Sequence, residues 1–297
     1  MTSIFGGYLR CKRAAPAALA DELDRAVEVK TGEVADVLVG AHDSARLVEP
    51  ITDSDPSFDV DAAYAVLFEI TRRRTAAGWR PVGRKIGFTN RTLWEPYGVD
   101  RPMWAHVYDR TVHRASGGEA SVAVGGFVQP RIEPEVVFGL RAPVPVNGRV
   151  SDVLDAVEWI AAGFEVVQCN FPDWRFRAPD CTAASGLHGA LVVGTPSTLD
   201  DDDRDRLTTV LTDFELTLQR DGEVVAHGHG RDVLDSPALA LEHLAGVVAG
   251  QPDAQPLAAG ETITTGTLTD AQPIETGQRW KADYGDLDLE PFELEIR

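Results

Sequence analysis

Gln129-Pro-Arg-Ile-Glu133-Pro-Glu135-Val-Val-Phe-Gly-Leu140 is the stretch that decides how this chain is read. On a strand, residues two apart share a face, so Glu133 and Glu135 project side by side. Two anions that close call for a cation between them. Pro134 cannot donate to a strand ladder, which predicts an edge or rim position where a site can open. Alternating glutamates also occur on the wet face of a half-buried sheet. The continuous apolar run Val136, Val137, Phe138 and Leu140, with Ile132 ahead of it, argues instead for burial on both faces.

A third acid has a similar setting in Gly163-Phe-Glu165-Val-Val167. Three carboxylates without cysteine or paired histidine ligands describe a hard, oxygen-donor site for Mg²⁺ or Mn²⁺. Such a site leaves positions for a chelating substrate and can polarise its carbonyl oxygen. Lys85 sits in Gly83-Arg-Lys-Ile-Gly-Phe-Thr-Asn90. Beside a metal and apolar walls its pKa is expected to fall towards the range useful for proton transfer; taken alone, the segment equally fits a strand-end lysine with its ammonium in water. The glycines match neither GxGxxG nor GxxxxGK[ST], so they give no phosphate loop.

Outward from these segments the pattern changes near Trp79. Ahead of it, Ala14 to about Gly40 and Asp61–Ala77 read as helices. The second has Tyr64, Leu67, Phe68 and Thr71 on one side and Asp59 as its cap. After it come β-prone runs at Gly83–Thr89, Ser121–Gly125, Glu133–Leu140, Phe164–Cys169 and Ala190–Gly194, and a hairpin of Asp213–Arg220 and Glu223–His227 around Asp221-Gly222. Helices are expected at Ser151–Ala162 and Pro237–Ala249, and Asp200 to Asp203 as a solvated loop. The expected organisation is a helical region over residues 1–80 and a β-rich domain over 81–297, an α+β chain.

The 297 residues carry 28 Lys and Arg against 47 Asp and Glu, a formal charge of −19. That charge repels phosphate backbones and anionic lipid surfaces, which excludes nucleic acid and membrane as expected partners. No apolar stretch approaches a membrane span, and the cations Arg10, Lys12 and Arg13 precede only a short alanine-rich run containing Pro16. Three cysteines, Cys11, Cys169 and Cys181, without CxxC spacing argue against a disulfide framework or structural zinc and for a reducing cytoplasm. The histidines lack metal-ligand spacing apart from His227 and His229, which read as a strand end.

In order and spacing, the segments above, with Gly98-Val-Asp-Arg-Pro102, Gly228-His-Gly230, Leu234, Pro237 and Thr264-Thr-Gly-Thr267, resemble the fumarylacetoacetate hydrolase superfamily. Within it they are most similar to the 2-keto-4-pentenoate hydratase and 4-oxalocrotonate decarboxylase branch. The similarity runs from about Asp61 to the C-terminus. It implies a mixed β-roll with a helical N-terminal region and a homo-oligomer acting on small 2-oxo acids. It further implies a divalent metal held by Glu133, Glu135 and Glu165, with Lys85 as the acid/base group. The activity it implies is hydration of a 2-hydroxy-alka-2,4-dienoate to a 4-hydroxy-2-oxo acid. Alternatives are decarboxylation of a 2-oxo-enedioate, C–C hydrolysis of an acylpyruvate, and an inactive metal-binding relative. Two positions depart from the hydratase pattern: Met103 stands where those enzymes carry an aspartate, and Ala184-Ser185 where they carry Asp-Asn. His188, beside the altered pair, is a candidate base for water; it and His106 also fit purely structural roles.

Overall fold

The computed structural model describes residues 17–297, with side chains from Lys30 onward except that of Leu93. Arg10, Cys11, Lys12, Arg13 and the first three residues of the expected Ala14 helix, Ala14, Ala15 and Pro16, lie outside that range. The order of elements is α1 (Ala17–Asp43), α2 (Ile51–Ser54), α3 (Val60–Ala76), β1 (Pro81–Gly87), α4 (Trp94–Tyr97), β2 (Met103–Tyr108), β3 (Val112–Arg114), β4 (Glu119–Val122) and β5 (Arg131–Leu140). There follow α5 (Val150–Leu154), β6 (Val157–Val167), α6 (Ala178–Ala183), β7 (His188–Val193), β8 (Ser197–Thr198), α7 (Asp201–Asp213), β9 (Glu215–Arg220) and β10 (Glu223–His229). The chain closes with α8 (Pro237–Ala249), β11 (Thr262–Thr264), β12 (Gln272–Pro273), β13 (Arg279–Asp283) and β14 (Glu293–Ile296). None of the described helices is long and apolar enough to cross a membrane.

The strands form two curled sheets. One runs β2-β1-β11-β5-β6-β7-β3, with β12 added to β5 and β8 to β6; the other runs β10-β9-β13-β14-β4. A single apolar core joins them, reaching from Ile132, Phe138 and Phe164 in the first sheet to Trp280, Leu294 and Ile296 in the second. Phe164 meets Phe292 edge-on, with ring centroids 5.4 Å apart. This is the mixed β-roll that the sequence predicts. Helix α3, capped by Asp59, whose side chain accepts from the Ala62 amide, packs Tyr64 and Leu67 into that core. Its other buried residues, Ala63, Val66 and Ile70, face a second cluster with Leu38 of α1 and Cys169 and Phe171.

Three expectations change. Pro134 does not mark an edge: β5 lies between β11 and β6. The Pro134 carbonyl accepts from the Leu268 amide on the side where β12 pairs with residues 131–132 and β11 with residues 137–139. The missing N–H therefore faces the break between those two short strands, where no ladder bond is lost. The predicted helix Ser151–Ala162 stops at Leu154, and Val157 onward is β6, buried on both faces. Finally, Asp200 to Asp203 begin a helix rather than a loop. Asp200 accepts from the Asp203 amide at 2.9 Å and Asp203 returns the bond at 3.1 Å, a capping box with acids in the first turn, where the helix dipole favours them.

Candidate metal centre and active site

Strands β5 and β6 pair so that Glu133 stands opposite Glu165 and Glu135 opposite Gly163. With Glu133 and Glu135 on one face by alternation, the three acids share one patch. Each offers a carboxylate oxygen, and these oxygens lie within 4.8 Å of one another. The Tyr284 hydroxyl secures the backbone behind them, donating to the Glu135 carbonyl (2.8 Å) and accepting from the Gly163 amide (3.3 Å).

Each acid is held differently. Glu135 is fully buried, and its Oε2 accepts from the Thr264 hydroxyl and from the Gly266 amide at 2.7 Å. Gly266 has φ +98° and lies so close to Thr89 that no side chain could replace its hydrogen. The other oxygen of Glu135, Oε1, is buried and accepts nothing. Glu165, also fully buried, has Lys85 Nζ at 2.9 Å from Oε2 and His188 Nδ1 at 2.7 Å from Oε1. Glu133 lines the adjoining cavity. A buried carboxylate oxygen with no donor costs free energy unless a cation or proton meets it. The donor set is all oxygen and anionic, so these residues fit a hard divalent cation.

The electrostatics follow from that crowding. Burial and the neighbouring Glu165 push Glu133 up to about 7 against the pull of Lys85. Burial, then Glu165 and Glu133, push Glu135 well above the usual carboxylate range. Burial acts on Glu165 too, but Lys85 and His188 outweigh it and hold its carboxyl at about 2. The sequence expectation of a lowered Lys85 pKa supposes a metal beside it; with the carboxylates alone the shift runs the other way. Burial pulls its ammonium down, yet Glu165, Glu133 and Glu135 together hold it above the ordinary lysine value. With three uncompensated carboxylates in reach, their attraction exceeds the cost of desolvation.

Lys85 also donates to the Gly186 carbonyl at 2.9 Å. It lines a cavity of about 330 Å³ together with Glu133, Phe88, Arg131, Trp174 and Leu187. A larger cleft of about 680 Å³ opens past Met103, between Tyr64, Trp94 and Gln251, but neither Lys85 nor any of the three glutamates lines it. Met103 is buried, and its sulfur lies beside Gly87 and Gly186. His188 sits on the far side of Glu165. Its Nε2 is 2.8 Å from the Thr111 hydroxyl, and it borders a small cavity shared with His42 and His106. Both ring nitrogens are thus engaged, and neither faces the Lys85 cavity. His106 packs edge-on against Trp104, and burial pushes its pKa down to about 4.

Residues that carried no role in the sequence appear here. Thr264 and Gly266 belong to a segment quoted only for its resemblance, and Thr111 and Arg131 had no local signature. Asp180 is a latch: it accepts from the Thr52 amide and hydroxyl and from the Arg177 amide, tying α2 to α6. Cys169 and Cys181 are free and buried, with burial pushing them up to about 11 and about 12, far from nucleophilic thiolates.

The profile of the Fumarylacetoacetate (FAA) hydrolase C-terminal family matches residues 96–289. The chain is 31% identical over 238 residues to the 2-hydroxyhexa-2,4-dienoate hydratase of Comamonas testosteroni, covering 80% of this chain and 87% of that one. It is 31% identical over 261 residues to the 2-keto-4-pentenoate hydratase 1 of Dechloromonas aromatica, covering 87% and 95%. In structure it is similar to the 4-oxalocrotonate decarboxylase from Pseudomonas putida G7, complexed with magnesium and adipate. There the TM-score is 0.82 at 22% identity, over 91% of this chain and 98% of that one. The fold, the sequence match and the relatives agree, and the chain belongs to the fumarylacetoacetate hydrolase family.

Proposed function

We propose that the protein is a divalent-metal-dependent hydro-lyase that converts a 2-hydroxy-alka-2,4-dienoate to a 4-hydroxy-2-oxo acid. The observation that carries this reading is the Lys85 ammonium, 2.9 Å from one carboxylate of the three-glutamate cluster and lining the adjoining cavity. Relatives named as hydratases at about 30% identity support the reaction class. Glu133, Glu135 and Glu165 would hold Mg²⁺ or Mn²⁺, which when bound supplies a Lewis acid for the 2-oxo group. Lys85 Nζ gives a proton to the distal carbon of the dienol and takes back the proton that the 2-hydroxyl loses. Water then adds across the resulting enone, oxygen at C4 and hydrogen at C3. Phe88, Trp174 and Leu187 wall the cavity and limit bulk water around that step. His188 acts as a positioning residue: its Nδ1–H fixes Glu165, and Thr111 fixes the tautomer from the other ring nitrogen. This replaces the sequence expectation of His188 as the base for water. On this reading the enzyme works as a homo-oligomer, as the family resemblance implies, in the reducing cytoplasm that its cysteine usage suggests.

A second reading, decarboxylation of a 2-oxo-enedioate, is favoured by Met103. Loss of CO₂ needs no group to deprotonate water, and a buried thioether supplies none. The test is a panel of 2-hydroxydienoic and 2-oxo-enedioic acids with Mg²⁺ or Mn²⁺, following loss of the conjugated ultraviolet chromophore and release of CO₂. A 4-hydroxy-2-oxo product without CO₂ supports hydration, CO₂ release moves the enzyme to the second reading, and no metal-dependent turnover of either class refutes both.

A further inference from the structure

Arg131 lines the same cavity as Lys85 and Glu133, and Arg131 and Lys85 are its only basic side chains among the described residues. It lies two residues before Glu133 on β5, a step of about 6.6 Å along a strand. Its guanidinium rests on the face of Trp174, 4.0 Å from the ring centroid. Among the described residues it forms no ion pair, although Glu133 is close enough to feel its charge. The guanidinium keeps its donors for something else.

The platform beneath it is built at a cost. Asp173 and Trp174 have φ of 56° and 57°, and Gln129 has φ of 48°, left-handed conformations that non-glycine residues rarely adopt. Gln129 holds the turn in place. Its Nε2 donates to the Cys169 and Phe171 carbonyls at 2.9 and 2.8 Å, its Oε1 accepts from the Asp173 amide at 3.1 Å, and its own carbonyl accepts from Trp174 Nε1 at 3.0 Å. Four hydrogen bonds therefore fix the turn that holds one indole under one guanidinium. Phe176, stacked on Tyr97 with centroids 5.0 Å apart, walls the same end of the cavity.

We propose that Arg131 on Trp174 is a subsite for a second anionic group at the far end of the substrate, so that the preferred substrate is a 2-oxo or 2-hydroxydienoic diacid. The inference rests on the reading above and on a chelating substrate, whose first carboxylate and 2-oxygen would sit at the glutamate centre. A stacked, pre-oriented guanidinium suits planar, bidentate recognition of a carboxylate. A six-carbon chain is long enough to bridge from the glutamate centre to it. Asp270, exposed at the mouth, does not neutralise it.

The test uses unreactive probes of equal length, 2-oxoadipate and 2-oxohexanoate, titrated calorimetrically into the full chain with Mg²⁺. The diacid should bind about 10- to 100-fold more tightly, the range of a charge-assisted hydrogen-bonded pair. Arg131→Gln should bring the two within about twofold, through loss of diacid affinity alone, and Arg131→Lys should fall between. Unchanged 2-oxohexanoate binding shows that the variants are folded. Equal affinities in the wild type, or a diacid preference that survives in Arg131→Gln, overturns the subsite while leaving the metal reading intact. Failure of both probes to bind in the presence of Mg²⁺ refutes the chelate reading and the subsite with it.

Discussion

Glu135→Gln removes one charge from the three-glutamate cluster and leaves its shape nearly unchanged. The oxygens involved lie within 4.8 Å of one another, so each pair of charges repels by at least about 3.5 kcal/mol at an effective dielectric constant near 20. Glu135 takes part in two such pairs, for about 7 kcal/mol. The attraction of Lys85 and the protonation implied by the raised Glu135 offset part of this, leaving a few kcal/mol in the metal-free protein. Glutamine can keep the bonds from Thr264 and Gly266 on its oxygen and turn its amide towards Glu133 and Glu165, where Oε1 now has no partner. The metal-free variant should therefore melt above the metal-free wild type by roughly 5–10 °C, at about 2–4 °C per kcal/mol for a chain of this size. With Mg²⁺ or Mn²⁺ the order reverses: the wild type gains stability by mass action, while the variant loses at least about 100-fold in metal affinity. Calorimetry with Mn²⁺ and thermal melts with and without chelator read both signs. Unchanged affinity, or a lower metal-free melting temperature, would refute the electrostatic argument and the assignment of Glu135 as a ligand.

Lys85→Met should bind metal nearly as the wild type does and turn over about 10²–10⁴ more slowly, the loss expected for a general acid/base; wild-type turnover in the dienoate assay would sink its role. His188→Ala should weaken Mn²⁺ binding about 10–100-fold, with partial rescue in His188→Gln, and at saturating metal should still place ¹⁸O from labelled water at C4. Loss of that label alone would make His188 the base after all. His106 supplies a pH dependence away from the glutamate cluster. Its folded pKa of about 4 lies below the ordinary 6.5, so the unfolded chain binds more protons between those values. Stability should fall as pH drops from 6.5 to 4, by up to about 3 kcal/mol, in denaturant midpoints. His106→Asn should flatten that slope, and an equal slope in the variant rules the residue out.

The sequence made the site more legible than the scaffold around it. Alternation brought Glu133 and Glu135 to one face, and the apolar run after them announced a strand buried on both sides. Glu165 and Lys85 showed themselves as charges inside apolar segments. What failed was periodicity where burial is two-sided. Val157, Ile160 and Ala161 are spaced like a helix face, but they belong to a strand whose neighbours are buried too, so no alternation distinguishes the two. At Asp200 to Asp203 a run of adjacent acids reads as a solvated loop, while the capping box and the helix dipole decide the outcome. The expected fall of the Lys85 pKa supposes a bound cation, and without one the carboxylates that three other strand positions bring within reach hold the ammonium up. Arg131 left no local signal, since the turn that carries Trp174 under it is fixed by Gln129 across 45 residues.

The break in pairing beside Pro134 bears on how such a site can diversify. On one flank, β6 pins the register of Glu133 and Glu135 residue by residue. On the other, between β11 and β12, the sheet hands its place to the Thr265–Ala271 segment, which contributes the Gly266 amide to Glu135 and borders the substrate cavity. Within that segment Leu268 is fixed by its bond to the Pro134 carbonyl and by the core, whereas Thr267, Asp270 and Ala271 border the cavity and can be exchanged without sliding the glutamates relative to one another. The slot separates the part of the sheet that sets the spacing of the acids from the part that meets what is bound, and mutational libraries aimed at new substrates belong at Thr267, Asp270 and Ala271.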